Sequence, residues 1–376
     1  MSSRTKFYRH FRLKINSVIL LSVFFFAPLI QLAGAPLFES DNLLHITVEA
    51  PLKALLNQRG GVRYDEPLEI PYLDGSLIYE SEGQESVVLN IRVKARGHTR
   101  RMSEVCDFPP IWINFEKPNV KGTVFQGQNK LKLVTHCSES GTAYKQFVLK
   151  EYLAYRTYNL LTDRSFRARL AKVTYIDSVG RRKAITRYGF FIEDEKKMAN
   201  RNRSEKVRIN KVTREMYEAV SLNLLEIFEF MIGNLDFSLL MAEPGSRCCH
   251  NARLIRHPEI DDLVLPIPYD FDHAGIVAAP YARPPKSLRM RSVKQRLYRG
   301  YCHSDGILEA NIEFFNAQKN AVFDLWKNAP GLNTQTRKES LDYLKSFYEI
   351  INDPNKLQRQ IHDKCRGDKP GPGSAL

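Results

Sequence analysis

The eighteen residues Asp194 to Lys211, "DEKKMANRNRSEKVRINK", hold only four apolar side chains, and the hydrophobic periodicity changes across them. Such a run cannot form the interior of a buried element, so it reads as a linker or an exposed connecting helix between two differently built parts. Upstream, "SVVLNIRVKARG" (86–97) alternates apolar with polar and basic residues, as a strand with one wet face does. "NLLHITVEA", "PPIWINF", "NKLKLVTH", "RARLAKVTYID" and "KAITRYGFFIE" read as further strands, with a short helix opening at Pro51. The stretch "AYKQFVLKEYLAYRTYNLLTD" sets Phe147, Leu149, Leu153, Tyr158 and Leu161 near helical spacing and is the one long helix of this half.

Downstream, "REMYEAVSLNLLEIFEFMIG" reads as a buried helix stopped by Gly233. A strand pair around "ARLIRH" and "DLVLPIPYD" follows, then a proline-rich loop and two more helices. The chain order is that of a bilobal α+β protein with a cleft between a strand-rich and a helix-rich lobe. The expected divisions are a signal peptide over 1–35, an N-terminal lobe over 36–194, a C-terminal lobe over 195–366 and a loose tail over 367–376.

The signal peptide rests on a basic start, "MSSRTKFYRHFRLK", an apolar run, "SVILLSVFFFAPLIQL", and the small residues "AGA". That pattern predicts export to the periplasm or beyond, with no stable transmembrane span after processing. The segment carries five Lys or Arg and no acid, so the formal charge of +14 falls to +9 without it. A moderate positive charge suits anionic ligands. With no zinc-finger spacing, no aromatic RNA-binding signature and no dense basic stripe, nucleic acid is not an expected partner. An exported chain permits disulfides among its six cysteines. Cys106 with Cys137 is the expected pair, each lying beside a strand of the first half, with two buried thiols as the alternative. Adjacent Cys248 and Cys249 are not expected to bond to each other.

Several residues could carry chemistry. Asp270 and Asp272 in "IPYDFDHAG" stand two apart at a strand end, so both can face one hard cation. Asp236 follows the helix end in "GNLDFS". Lys130 and Lys132 share one face of a strand, and Glu151 lies on the helix after it, which is the arrangement that grips phosphates in phosphoryl-transfer enzymes. Arg96, before Gly97, could fork onto phosphate. For each acid taken alone, a turn-capping role is the better explanation.

Taken with "CDFPP", "LKLVTHC", "EYLAYRTYNLLTDRSFR" and "IPYDFDHAG", the chain resembles the CotH family of spore-coat atypical kinases, and more closely uncharacterised exported bacterial relatives. The likeness spans about residues 90 to 285. It implies a bilobal protein-kinase-like fold and Mg²⁺-dependent transfer of the ATP γ-phosphoryl group to a hydroxyl acceptor, a protein among the candidate substrates. By position it places the strand lysine at Lys130, with Lys132 competing, paired with Glu151. It puts Glu193 at the adenine-side hinge, Asp236 as the catalytic aspartate and Asp270 as the metal-binding one, with Asp272 close by. A kinase loop has Asn five residues after that aspartate, whereas Met241 stands here, and Asn251 is the substitute metal ligand. The alternative is a non-catalytic binding or envelope-structural module on the same scaffold.

Overall fold

Strand β1 (Leu44–Ala50) turns Leu44, Ile46, Val48 and Ala50 inward and forms hydrogen-bonded ladders on both edges. On one side lies antiparallel β2 (Leu73–Tyr79), and on the other parallel β6 (Ala168–Asp177). This double pairing closes the sheet. In the computed structural model, which describes residues 36–58, 70–80, 86–240, 248–259 and 262–367, the strand order is β1-β2-β3-β4-β5-β7-β6 around a closed seven-stranded barrel. The remaining strands are β3 (Val87–Ala95), β4 (Ile111–Phe115), β5 (Lys130–Val134) and β7 (Ile185–Ile192). A short helix, α1 (Leu52–Asn57), follows β1. The expected signal segment and residues 368–376 of the expected tail lie outside the described residues.

The barrel interior is filled by Ile46, Val48, Leu89, Ile91, Ile113, Leu131, Val173 and Phe191, among others. Strand β2 escapes recognition in the sequence because its apolar period is broken at Gly75. A Cβ there would stand 2.4 Å from the Glu49 carbonyl oxygen, so only glycine lets β2 lie against β1 at this point.

Outside the barrel, helix α2 (Gly141–Leu161) packs Phe147, Leu149, Leu153 and Tyr155 into a second core with β6 and β7. The same core takes in α4 (Ala219–Ile232), α5 (Asp305–Lys327) and α6 (Thr334–Ile351). The bilobal kinase-like fold expected above is therefore incorrect. A lobe made of a sheet and its own helix would keep α2 on the sheet's side of a cleft. Here the sheet closes on itself, and α2 joins the C-terminal helices in one continuous apolar core. The cause is the parallel β1–β6 ladder from Leu44 beside Ala171 to Ala50 beside Asp177, which leaves no sheet edge open.

The polar run combines both expected readings and adds a strand. Asp194 accepts the N–H groups of Lys196 and Lys197 and so caps α3 (Glu195–Arg201), which buries Met198 and Ala199. β8 (Glu205–Val207) then joins the hairpin of β9 (Ala252–Arg256) and β10 (Leu265–Pro268) as a three-stranded sheet. Gly233 ends α4 with a left-handed φ of 68°, as its position predicts. A one-turn helix, α7 (Pro354–Leu357), follows α6.

Cys106 and Cys137 are bonded, as expected, with Cα atoms 4.7 Å apart. Cys302 pairs with Cys365. Cys248 and Cys249 are bonded to each other across a cis peptide, with Cα atoms 3.0 Å apart, contrary to expectation. No helix among the described residues is long and apolar enough to cross a membrane.

Candidate active site beside the barrel wall

Between β3 and β4 the chain turns at Gly97, with φ of 93°, into a single 3₁₀ turn, Thr99–Arg101. The Cys106–Cys137 bond and a backbone hydrogen bond from Phe108 to Cys137 fasten this connection to the end of β5. The result is to bury Arg100, which is 7% exposed. Its guanidinium donates to Glu151 Oε2 at 2.5 Å, Asp272 Oδ2 at 3.1 Å and the Tyr281 hydroxyl at 2.5 Å. The Tyr281 hydroxyl in turn donates to Asp272 Oδ2 at 2.9 Å. Burial alone would lower the Arg100 pKa, but Glu151, Tyr281 and Asp272 outweigh it and hold the group well above its ordinary value.

This corrects the lysine expectation. Glu151 is bound to Arg100, and neither Lys130 nor Lys132 pairs with it. Lys130 lies over the Trp112 ring, 4.4 Å from its centroid. Lys132 donates to the Tyr269 hydroxyl at 2.9 Å. The reason lies in the closed barrel, where the side chains of Lys130 and Lys132 alternate with buried Leu131 and Leu133 and point to the outer face beside Trp112.

The carboxylates collect around Arg100 on different terms. Asp272 is buried, yet Arg100, His273 and Tyr281 outweigh the burial and keep its carboxyl below the ordinary range. Asp270, at a left-handed φ of 65°, donates its backbone N–H to Tyr155 Oη at 2.9 Å. Its carboxylate makes no hydrogen bond or ion pair with a described residue. Burial and then Asp272 push it up, against Arg100 and Arg96. Glu151 is pushed up to about 8 by burial, with Asp272 and Asp270 adding to the shift and Arg100 opposing it. One guanidinium thus serves three carboxyl groups, and the cluster is short of positive charge.

Asp236 is electrostatically linked to this cluster, since its charge helps to raise Asp270 and it feels Asp272 in return. Its backbone N–H donates to Asn234 Oδ1 at 3.0 Å. His250 Nε2 stands 3.1 Å from Oδ1, and Asn251 Nδ2 donates to Oδ2 at 3.1 Å and to the backbone carbonyl at 2.7 Å. Burial would raise the Asp236 carboxyl, but His250 and His273 outweigh it and hold the group below the ordinary range. Asn251 therefore orients Asp236 through its amide nitrogen.

On the barrel side stands a cationic wall. Arg96 and Lys132 both approach the Tyr269 hydroxyl, at 3.4 and 2.9 Å, and Arg253 lies over its ring. Burial raises the Tyr269 phenol, but Lys132 and Arg96 outweigh it and set the group below its ordinary value. Glu193 stands apart in role. Both its oxygens bind Arg201, and Oε2 also accepts the Arg167 N–H, which commits the carboxylate to the frame.

Among the described residues no three His, Cys, Asp or Glu side chains are grouped to hold a metal. A hard cation that takes one or two carboxylates and leaves positions for phosphate and water still fits the unpaired, half-buried carboxylate of Asp270. Sequence reasoning missed Arg100, Tyr281, Trp112 and Tyr269. Nothing in "GHTRR" distinguishes a buried arginine from exposed ones, whereas the aromatic positions beside Lys130 and Asp270 could have been found from strand alternation. No protein-family model matches the chain, and a search of curated proteins found no match.

Proposed function

We propose that this protein is a phosphotransferase that binds Mg²⁺–ATP beside the barrel wall and transfers the γ-phosphoryl group to a hydroxyl acceptor. One observation carries the proposal: an unpaired, half-buried Asp270 and an ordered Asp236 share one electrostatic neighbourhood, which the Arg96–Lys132 wall adjoins through Tyr269. The resemblance of "LKLVTHC" and "IPYDFDHAG" to the CotH family supports it from the sequence side. The reading does not depend on a kinase fold.

Asp270 would hold Mg²⁺, which when bound draws the phosphate oxygens together and neutralises their charge. Arg96 and Lys132 would place positive charge on the phosphates. Asp236 would orient the acceptor hydroxyl as its oxygen bonds to phosphorus and the bond to the ADP oxygen breaks, with the hydroxyl proton passing to Asp236 or to water. A carboxylate held below its ordinary range is a weak base, so orientation is its main contribution. Arg100 and Glu151 would position Asp272, and with it the Asp270 backbone, without touching the ligand.

Titration of the chain with ATP, with and without Mg²⁺, tests the reading. Asp270→Asn should weaken Mg²⁺-dependent binding at least about tenfold, and Asp236→Asn should leave binding intact while slowing transfer about 10²-fold or more. Wild-type protein that binds no nucleotide at any Mg²⁺ concentration overturns the proposal. The second reading, a non-catalytic binding module, is favoured by one observation, the absence of either strand lysine from Glu151. Nucleotide binding without detectable transfer would select it.

A further inference from the structure

Three short connections, after α2, after α3 and after β9, meet around a surface cavity of about 360 Å³. Arg164, Arg167, Arg201, Arg203 and His257 line it, against a single acid, Asp163. Two of the arginines are already neutralised. Arg201 forks onto Glu193 and donates to the backbone carbonyls of Asp163 and Ser165. Arg167 binds Glu39 at 2.6 Å. Arg164 and Arg203 make no ion pair with a described residue, so two guanidinium groups remain available at the cavity.

His257 supplies the independent observation. The residue is 5% exposed, and its Nδ1 accepts the Glu259 backbone N–H at 3.2 Å. The Glu259 carboxylate lies 3.7 Å from the same nitrogen, beyond hydrogen-bonding distance. With the Nδ1 lone pair taken, the ring proton sits on Nε2. That N–H has no partner among the described residues, on a buried ring that lines the cavity. The ring is buried, but this N–H reaches solvent at the cavity, where the oxygen of a ligand can take the place of water.

We propose that this cavity binds the phosphoryl group of a small ligand, separately from the nucleotide site. Arg164 and Arg203 would each fork onto phosphate oxygens while His257 Nε2–H takes a third. Donors arriving from three connections suit a tetrahedral oxyanion better than a planar carboxylate, which offers only two oxygens. None of Asp236, Asp270, Arg96 and Lys132 lines this cavity.

The test is calorimetric titration of the full chain in Mg²⁺-free buffer with inorganic phosphate and, separately, glycerol phosphate, against potassium chloride at equal ionic strength. Wild-type protein should bind at least one of the two above the chloride control. Tighter binding of the ester assigns the natural ligand to a phosphomonoester, and tighter binding of the free ion assigns it to inorganic phosphate. The surface double variant Arg164→Gln/Arg203→Gln should bind at least tenfold more weakly with an unchanged circular dichroism spectrum, and Asp270→Asn should bind like wild type. No binding by wild type, wild-type affinity in the double variant, or equal loss in Asp270→Asn each overturns the proposal.

Discussion

Two buried carboxyl groups, Glu151 on α2 and Glu229 on α4, are both pushed up to about 8, chiefly by burial, yet their surroundings differ in kind. Glu151 receives a guanidinium at 2.5 Å and stands among other acids. Glu229 has neither oxygen hydrogen-bonded. The Asn234 amide lowers its pKa in part without closing a bond of good geometry, Arg299 helps from further away, and Asp236 opposes. The same shift, set chiefly by burial in both, thus sits inside a charge network in one region and beside few charges in the other. A raised pKa on its own does not mark the candidate site. What marks it is the mismatch between one cation and several acids.

The difference breaks most visibly at Arg100. Arg100→Met leaves Glu151, Asp270 and Asp272 without their shared counter-charge and should cost about 3–5 kcal/mol in urea unfolding, because a buried charge pair that loses one partner is strongly destabilising. Glu229→Gln should carry no such cost.

The Cys106–Cys137 bond fastens the connection that delivers Arg100 and closes a loop of 31 positions. Cys106→Ala/Cys137→Ala should lower stability by about 3–4 kcal/mol on the chain-entropy model. Amide exchange should then rise more steeply through residues 96–110 than at Glu229, where it follows only the loss of global stability, which sharpens the contrast between the regions.

The pH dependence of Glu229 has a definite sign. Its carboxyl moves from 4.5 to about 8 in the folded protein, so the folded state keeps a proton that the unfolded state loses. The stability this proton confers is full below about pH 4.5, falls as pH rises towards 8, and is lost above that. Glu229→Gln removes this fall and should exceed wild type by roughly 4–5 kcal/mol at pH 9, measured by denaturant titration across pH. Glu151→Gln has the opposite sign at neutral pH. It replaces the carboxyl oxygen that accepts the Arg100 N–H at 2.5 Å with an amide oxygen and should cost about 1–2 kcal/mol, the smallest effect here.

The strands of the first half, α2, the Gly233 stop and the β9–β10 hairpin were legible because each depends on a local period or a single turn residue. The order of elements also put Asp236 and Asp270 at element ends, and the charge of Asp236 helps to raise Asp270. β2 was not legible, because Gly75 interrupts its pattern for the sake of a neighbour 26 positions upstream, Glu49. The Lys130–Glu151 expectation failed for a related reason. Strand alternation correctly puts Lys130 and Lys132 on one face, but which helix residue that face meets depends on how the sheet curves.

By itself, then, the sequence determined where the chain extends, where it coils, and which acids stand at the ends of elements, since those follow from side-chain volume, backbone freedom and spacing along one segment. Only the tertiary structure decided that β1 pairs with β6 to close a barrel, that α2 belongs to the C-terminal core, and that Arg100 is the cation Glu151 meets. Each of these joins residues far apart in the chain, such as Arg100 and Asp272, 172 positions apart. Their energies come from burial and from charge held at short range in a low dielectric, quantities that exist only once the chain has closed around them.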